Sequence, residues 1–170
     1  TLNIMQAAKI NKIKKIIHTS TSEVYGTAKY VPMDENHPIN AQSPYSASKI
    51  SADHIAQSFY NSFNLPVVVL RPFNTFGPRQ SLRAVIPTII GQALNEQKIN
   101  VGNLKPTRDF NYVEDIVNGF YLTLKSKNKK IFGEVINLGT GYEISIKNLL
   151  NIIQKITNKK LSFRIETKRI

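Results

Sequence analysis

The 170-residue chain has no Cys and no Trp, 41% apolar residues, and 23 Lys+Arg against 11 Asp+Glu, for a formal charge of +12. That apolar share supports one domain's worth of packed core rather than a disordered tail, and the missing cysteines exclude a thiolate nucleophile, a Cys-based zinc site and an iron–sulfur cluster. The longest apolar runs, such as Val67 to Leu70, fall far short of the roughly 20 residues that a membrane-crossing helix needs.

Residues 1–10 have no positive head, long apolar middle or small-residue cleavage site, so the expected location is the cytoplasm, with no membrane partner. The same stretch predicts an amphipathic helix with Leu2, Ile4, Met5 and Ala8 on one side. Lys15 to Ser20 predicts a strand that stops in a hydroxyl-rich loop, and a Pro-rich segment, Tyr30 to Ser43, follows. Ser43-Pro44 is a strong helix start, since Ser caps free N–H groups and Pro fits the first turn. That helix is predicted over 44–63.

Pro66 to Arg71 is an apolar run suited to a parallel strand buried on both faces, halted by Pro72. A Gly/Pro loop over 74–79 leads to a helix over 84–97 and a short strand over 98–101. Arg108 to Tyr112 is predicted to be extended. A helix over 113–125, a strand over 134–138, a turn at Gly139-Thr-Gly141, a helix over 145–157 and a strand over 161–165 complete the chain. The alternation predicts an α/β fold.

The charge is uneven, with eleven Lys/Arg and three acids in residues 125–170. A basic surface attracts anions, but these lysines cluster in Lys125 to Lys130 and Asn158 to Lys160, which read as solvated turns. His18, His37 and His54 show no metal-ligand spacing, so no metal is expected.

Three features carry chemistry. Thr19-Ser20-Thr21-Ser22-Glu23 ends the first strand, Tyr45 and Lys49 stand four apart at the start of the next helix, and Arg71-Pro72-Phe73-Asn74 closes the next strand. Open α/β sheets bind ligands outside the carboxyl ends of their strands, so one pocket can collect all three.

Tyr-x-x-x-Lys by itself is weak evidence, and the chain holds three such pairs: Tyr25/Lys29, Tyr45/Lys49 and Tyr121/Lys125. Gly26 and Pro32 argue against helical spacing in the first. The third lies far from any hydroxyl cluster, with Tyr121 expected in the core. Tyr45/Lys49 alone follows a polar strand end. A phenol with a pKa of ~10 is a poor base at neutral pH, but an ammonium one helical turn away favours the phenolate. Tyr45 can then take an alcohol proton while Thr21 hydrogen-bonds the same oxygen. Given a hydride acceptor, such a pair oxidises alcohols.

The Ser/Thr cluster, Tyr45-x-x-x-Lys49, Arg71-Pro-Phe-Asn-Thr-Phe-Gly-Pro78, Arg108-Asp-Phe-Asn-Tyr-Val-Glu-Asp115 and Asn137-Leu-Gly139 together resemble the extended short-chain dehydrogenase/reductases that act on nucleotide sugars, with motifs in order along essentially the whole chain. The resemblance implies the C-terminal part of a Rossmann-like doubly wound parallel sheet plus a smaller α/β substrate-binding region. Residues 1–80 would be a partial Rossmann-like catalytic portion and 81–170 mostly the substrate-binding region, with strands and helices returning to the core. It also implies NAD, with NADP left open, a nucleotide-diphosphate sugar as ligand, no nucleic acid, and a homodimer in the complete enzyme through helices 1–10 and 44–63.

Within that family Thr21-Ser22-Glu23 is most similar to the nucleotide-sugar 4,6-dehydratases, whose glutamate removes the C5 proton once C4 is a ketone. The resemblance makes Thr21, Ser22, Glu23, Tyr45 and Lys49 catalytic. Thr19, Tyr45, Lys49, Pro72 and Phe73 would border the cofactor, and Asn74, Arg79 and Arg108 would hold the substrate, a guanidinium offering forked bonds to pyrophosphate. The dTDP-glucose enzymes carry aspartate where Ser22 stands, whereas the GDP-mannose enzymes resemble Thr-Ser-Glu. Either Ser22 relays the proton to the departing C6 hydroxyl or Glu23 serves both steps.

The family's glycine-rich dinucleotide turn is not in this sequence, so a fragment lacking the N-terminal half is expected, inactive in isolation. A nucleotide-sugar 4-epimerase shares every motif except Glu23. A non-catalytic anion-binding module is the alternative of another class, resting on the charge of +12.

Overall fold

The computed structural model describes residues 1–95 and 98–165. The chain divides into two compact units, one of Thr1–Thr75 with Asn111–Gly141 and one of Phe76–Phe110 with Tyr142–Ile170.

The first unit opens with α1 (Leu2–Ile10) and β1 (Ile16–Thr19), then a 3₁₀ turn (Ser22–Tyr25), α2 (Pro44–Phe63) and β2 (Val67–Pro72). Next come β3 (Asn74–Phe76), α3 (Val85–Asn95), β4 (Lys98–Val101), β5 (Thr107–Arg108), β6 (Phe110–Tyr112), α4 (Val113–Lys125), β7 (Val135–Leu138), β8 (Ile144–Ser145), α5 (Ile146–Thr157) and β9 (Ser162–Ile165). The alternation agrees with the α/β expectation. The end of the helix predicted over 84–97 and the terminal run Lys168 to Ile170 lie outside the described residues.

In the first unit β1, β2 and β7 form a parallel sheet in the order β1-β2-β7. β2 is central, so Val67, Val68, Val69 and Leu70 are sealed on both faces, as their unbroken apolar run requires. β2 ends at Pro72, as expected, but proline is itself the last residue of the ladder: it is in register with Leu138, and the Phe73 N–H donates to the Leu138 carbonyl at 2.9 Å. The reason is directional. The N–H groups of Val69 and Phe73 both point at the β7 side, so the alternation turns Pro72 toward β1, whose register ends at Leu70. The donor that proline lacks is not needed there. The predicted loop over 74–79 likewise begins as strand β3.

α2 starts where its local chemistry dictates. The Ser43 hydroxyl accepts the Ser46 N–H at 3.1 Å, Pro44 occupies the first turn, and Asn64 closes the helix in the left-handed region at φ 52°. Met5 and Ala8 of α1 pack with Ala56 and Phe59 of α2 and with Leu65, Val67 and Val69. Leu2 and Ile4 are 46% and 66% exposed, and Met5 and Ala8 are the α1 residues that enter that core.

On α4, Ile116 and Thr123 are buried, and Gly119 approaches Leu138 so closely that a Cβ would lie 3.0 Å from its Cδ2. Tyr121 is off that face and 53% exposed, which corrects its expected place in the core. Lys15 closes the helix: its Nζ donates to the carbonyls of Thr123 at 2.9 Å, Leu124 at 3.0 Å and Ser126 at 2.6 Å. Gly133 stands at φ +85°, and a Cβ there would lie 2.1 Å from Cε1 of Tyr60.

The second unit has its own core of Ile89, Ala93, Ile99, Val101, Ile146, Leu149, Leu150, Ile153 and Leu161. Strands β4 and β9 pair in parallel and β5 and β8 antiparallel. Ser145 caps α5 by accepting the Asn148 N–H at 3.1 Å.

Candidate active site

Strand β1 ends at Thr19, and the chain turns at once into the 3₁₀ segment. Thr21 caps it: its Oγ1 accepts the Glu23 N–H at 3.2 Å. Accepting that bond leaves the Thr21 O–H available to donate. Ser22 is half-buried and Glu23 exposed in this turn, and the Glu23 carboxylate meets no partner among the described residues.

The first turns of α2 grip this strand end at two points. The Ser46 hydroxyl donates to the Glu23 carbonyl at 3.0 Å, and Lys49 Nζ donates to the Thr19 carbonyl at 2.5 Å. Tyr45 precedes Ser46 and is 56% exposed, its hydroxyl unbonded among the described residues. Thr19, Thr21, Ser22, Glu23, Tyr45 and Lys49 are thus brought together by one strand end and one helix start. By contrast, the Tyr30 hydroxyl is committed to Asp34 at 2.7 Å, and that hydrogen bond pushes its pKa up to about 12, which removes it as a base.

Pro72 and Phe73 lie half-buried at the carboxyl end of β2, next to β1 in the sheet, and Asn74 follows in β3. Arg79 and Arg108 belong to the second unit. Arg79 is exposed at φ 66°. Arg108 is exposed in β5, its Nη1 donating to the Thr107 carbonyl at 2.7 Å.

Beneath the strand end lies a buried polar network that sequence reasoning missed. Asp53 is fully buried. Its Oδ2 accepts the Ser20 hydroxyl at 2.7 Å and Arg71 through Nε at 3.1 Å and Nη2 at 3.0 Å. Its Oδ1 stands 3.2 Å from His18 Nε2, in ion-pair range but off the line of a well-directed hydrogen bond, and neither atom has another partner. Burial pushes the Asp53 carboxyl up, yet His18, Ser20 and Arg71 together outweigh it and hold the pKa below the ordinary carboxylate value.

Arg71, itself 2% exposed, also donates from Nη1 to the Tyr25 hydroxyl at 3.0 Å. That hydroxyl donates to Asn137 Oδ1 at 2.7 Å. The Asn137 N–H in turn donates to Glu35 Oε1 at 2.7 Å, which ties the Pro-rich loop to β7. His18, given no role from sequence, is part of this network, and buried His37 accepts the Lys29 N–H at 2.9 Å. A signal for Asp53 existed: it lies on the same stripe of α2 as buried Ser46 and Ala56, and a buried acid demands a partner.

The family model for GDP-mannose 4,6-dehydratase matches residues 1–169. A dTDP-D-glucose 4,6-dehydratase of Dictyostelium discoideum is 38% identical over 167 residues, covering 91% of this chain and 37% of that protein. Among solved structures, UDP-glucuronic acid 4-epimerase from Bacillus cereus, in complex with UDP-glucuronic acid and NAD, matches with a TM-score of 0.90 at 32% identity over 98% of this chain and 52% of that one. The dTDP-glucose 4,6-dehydratase from Bacillus anthracis, in complex with NAD, matches with a TM-score of 0.87 at 30% identity over 97% and 54%. The chain therefore spans about half the length of these structures, and less of the Dictyostelium relative. Among the described residues, no helix is long and apolar enough to cross a membrane.

Proposed function

The chain belongs to the GDP-mannose 4,6-dehydratase family, and from that premise we propose that it carries the acid–base residues for NAD-dependent conversion of a nucleotide-diphosphate hexose to a 4-keto-6-deoxy sugar nucleotide. The observation that carries the reading is the grip of Lys49 on the Thr19 carbonyl, with Tyr45 one turn earlier and its hydroxyl unbonded among the described residues.

The residues fit a dinucleotide. An ammonium has three donors, and Lys49 spends one on Thr19, leaving two for a ribose. Thr19, Pro72 and Phe73 border the carboxyl edge of the sheet, where α/β folds receive such ligands. NAD, when bound, supplies the redox chemistry: the hydride it takes from C4 returns to C6 after water has left, so that loss of one water is the only net change and no other oxidant is needed.

Tyr45 takes the proton of the C4 hydroxyl, and the Thr21 O–H holds the same oxygen. Glu23 removes the C5 proton, which the C4 ketone has made acidic. The proton needed by the departing C6 hydroxyl comes through Ser22 or from Glu23. Asn74, Arg79 and Arg108 are the proposed substrate-binding residues, with the catalytic portion in residues 1–80 and 81–170 mostly substrate-binding, its strands and helices returning in part to the core, as β7 does by pairing with β2.

Mass spectrometry of the gene's full-length product with NAD and a panel of UDP-, GDP- and dTDP-hexoses tests this. A product lighter by one water is expected, and in Glu23→Gln the water loss collapses while oxidation at C4 survives. Undiminished water loss in that variant would overturn the role of Glu23. A second reading, sugar 4-epimerisation, is favoured by the likeness to the Bacillus cereus 4-epimerase; it predicts an isomer of unchanged mass.

A further inference from the structure

Lys49 and Asp53 stand four apart on α2, hence one above the other on a single helix face. Both hold the same short piece of β1. Lys49 takes the carbonyl of Thr19, while the Asp53 carboxylate meets the residues on either side: Oδ2 accepts the Ser20 hydroxyl, and Oδ1 stands in ion-pair range, 3.2 Å from His18 Nε2. The side chains of His18 and Ser20 share one face of the strand, as its two-residue period dictates. Arg71 fixes the carboxylate from β2.

We propose that Asp53 is a positioning residue for Lys49: by clamping His18 and Ser20 it sets the direction of the Thr19 carbonyl, and so the place of the ammonium beside Tyr45. This rests on the reading of Tyr45 and Lys49 as the acid–base pair. Stability alone does not account for the arrangement, because well-packed apolar residues often replace a buried ion pair at no cost. What apolar residues cannot do is hold two strand side chains in fixed directions around one carbonyl. Ser20 also directly precedes Thr21, the cap of the 3₁₀ turn that carries Glu23, so the same clamp sets both halves of the site.

The test is competitive amine labelling of the full chain at neutral pH, read lysine by lysine by mass spectrometry. Lys49 is bonded to one carbonyl. Lys15, bonded to three carbonyls at the end of α4, reports on the fold. Ser20→Ala and Asp53→Asn are each expected to raise the labelling of Lys49 by about two- to tenfold, the worth of one hydrogen bond, with Lys15 unchanged. Unchanged Lys49 labelling in folded variants, or an equal rise at Lys15 and Lys49, overturns the proposal. Should Asp53→Asn not fold, Ser20→Ala decides, since it removes a hydroxyl without stranding a buried charge. Turnover by Tyr45→Phe tests the acid–base reading separately: full activity there would sink that reading and leave the labelling result standing.

Discussion

Arg71 meets Asp53 through two nitrogens on one carboxylate oxygen, Nε at 3.1 Å and Nη2 at 3.0 Å from Oδ2, with both side chains sealed from solvent. The pair joins β2 to α2 directly beneath the strand end that carries Thr19 to Glu23. Removing one partner leaves a buried charge alone, so Asp53→Ala is expected to cost about 3–5 kcal/mol of unfolding free energy. Asp53→Leu combined with Arg71→Met should be far closer to neutral. Urea unfolding of the three proteins checks this, and an equal loss in the double variant would contradict it.

The same carboxylate makes stability depend on pH. Its folded pKa is held below the ordinary value, so the unfolded chain binds the proton first as the pH falls. The contribution is therefore complete above the unfolded pKa of about 3.9 and is lost as pH drops through the folded value. Urea midpoints measured from pH 7 down to pH 3 should fall at the acid end, and part of that slope should be missing in Asp53→Asn. Identical acid slopes would show that Asp53 is not responsible.

Tyr45→Phe separates chemistry from folding. The hydroxyl is unbonded among the described residues and the side chain is 56% exposed, so stability should change by less than about 0.5 kcal/mol. Under the proposed function, turnover of a sugar nucleotide by the full-length protein should fall by about 10²–10⁴-fold, the worth of a positioned acid–base group. A rate within twofold of the parent would dismiss Tyr45.

Gly133 tests the packing of α2 against the start of β7. Its φ is +85°, and a Cβ there would lie 2.1 Å from Cε1 of Tyr60, which leaves no room for one. Gly133→Ala should destabilise by about 2–4 kcal/mol through backbone strain and overpacking together. Adding Tyr60→Ala should relieve the overpacking, so the two losses should sum to more than the double variant shows. Strict additivity would place the two residues out of contact.

Lys15→Met removes the ammonium from the end of α4. A loss of about 1 kcal/mol is expected from the carbonyls left uncapped and the lost charge at the helix terminus. Amide exchange should quicken in the last turn of α4, where the Ser126 N–H bonds the Leu122 carbonyl at 2.9 Å, and stay unchanged in α2. Uniform quickening would point to global loosening instead.

Local chemistry alone determined α2 and α4. Ser43-Pro44 and the terminal Asn64 bound the first, and the predicted spans 44–63 and 113–125 match the observed helices. It also placed Tyr45 and Lys49 on one helix start, because four-residue spacing acts within a single turn. Residues 18, 20 and 71 had to converge from two other strands before Asp53 could be recognised as the buried anchor, and no periodicity records such a meeting. Pro72 could remain in a ladder because the tertiary fold had already ended β1 at Thr19. Tyr121 came to lie outward because Gly119 presents the face of α4 that approaches Leu138. Hydrogen-bonded caps and helical spacing act between neighbours in the chain, whereas the burial of a charge or the exposure of an aromatic ring depends on which distant segment packs against it.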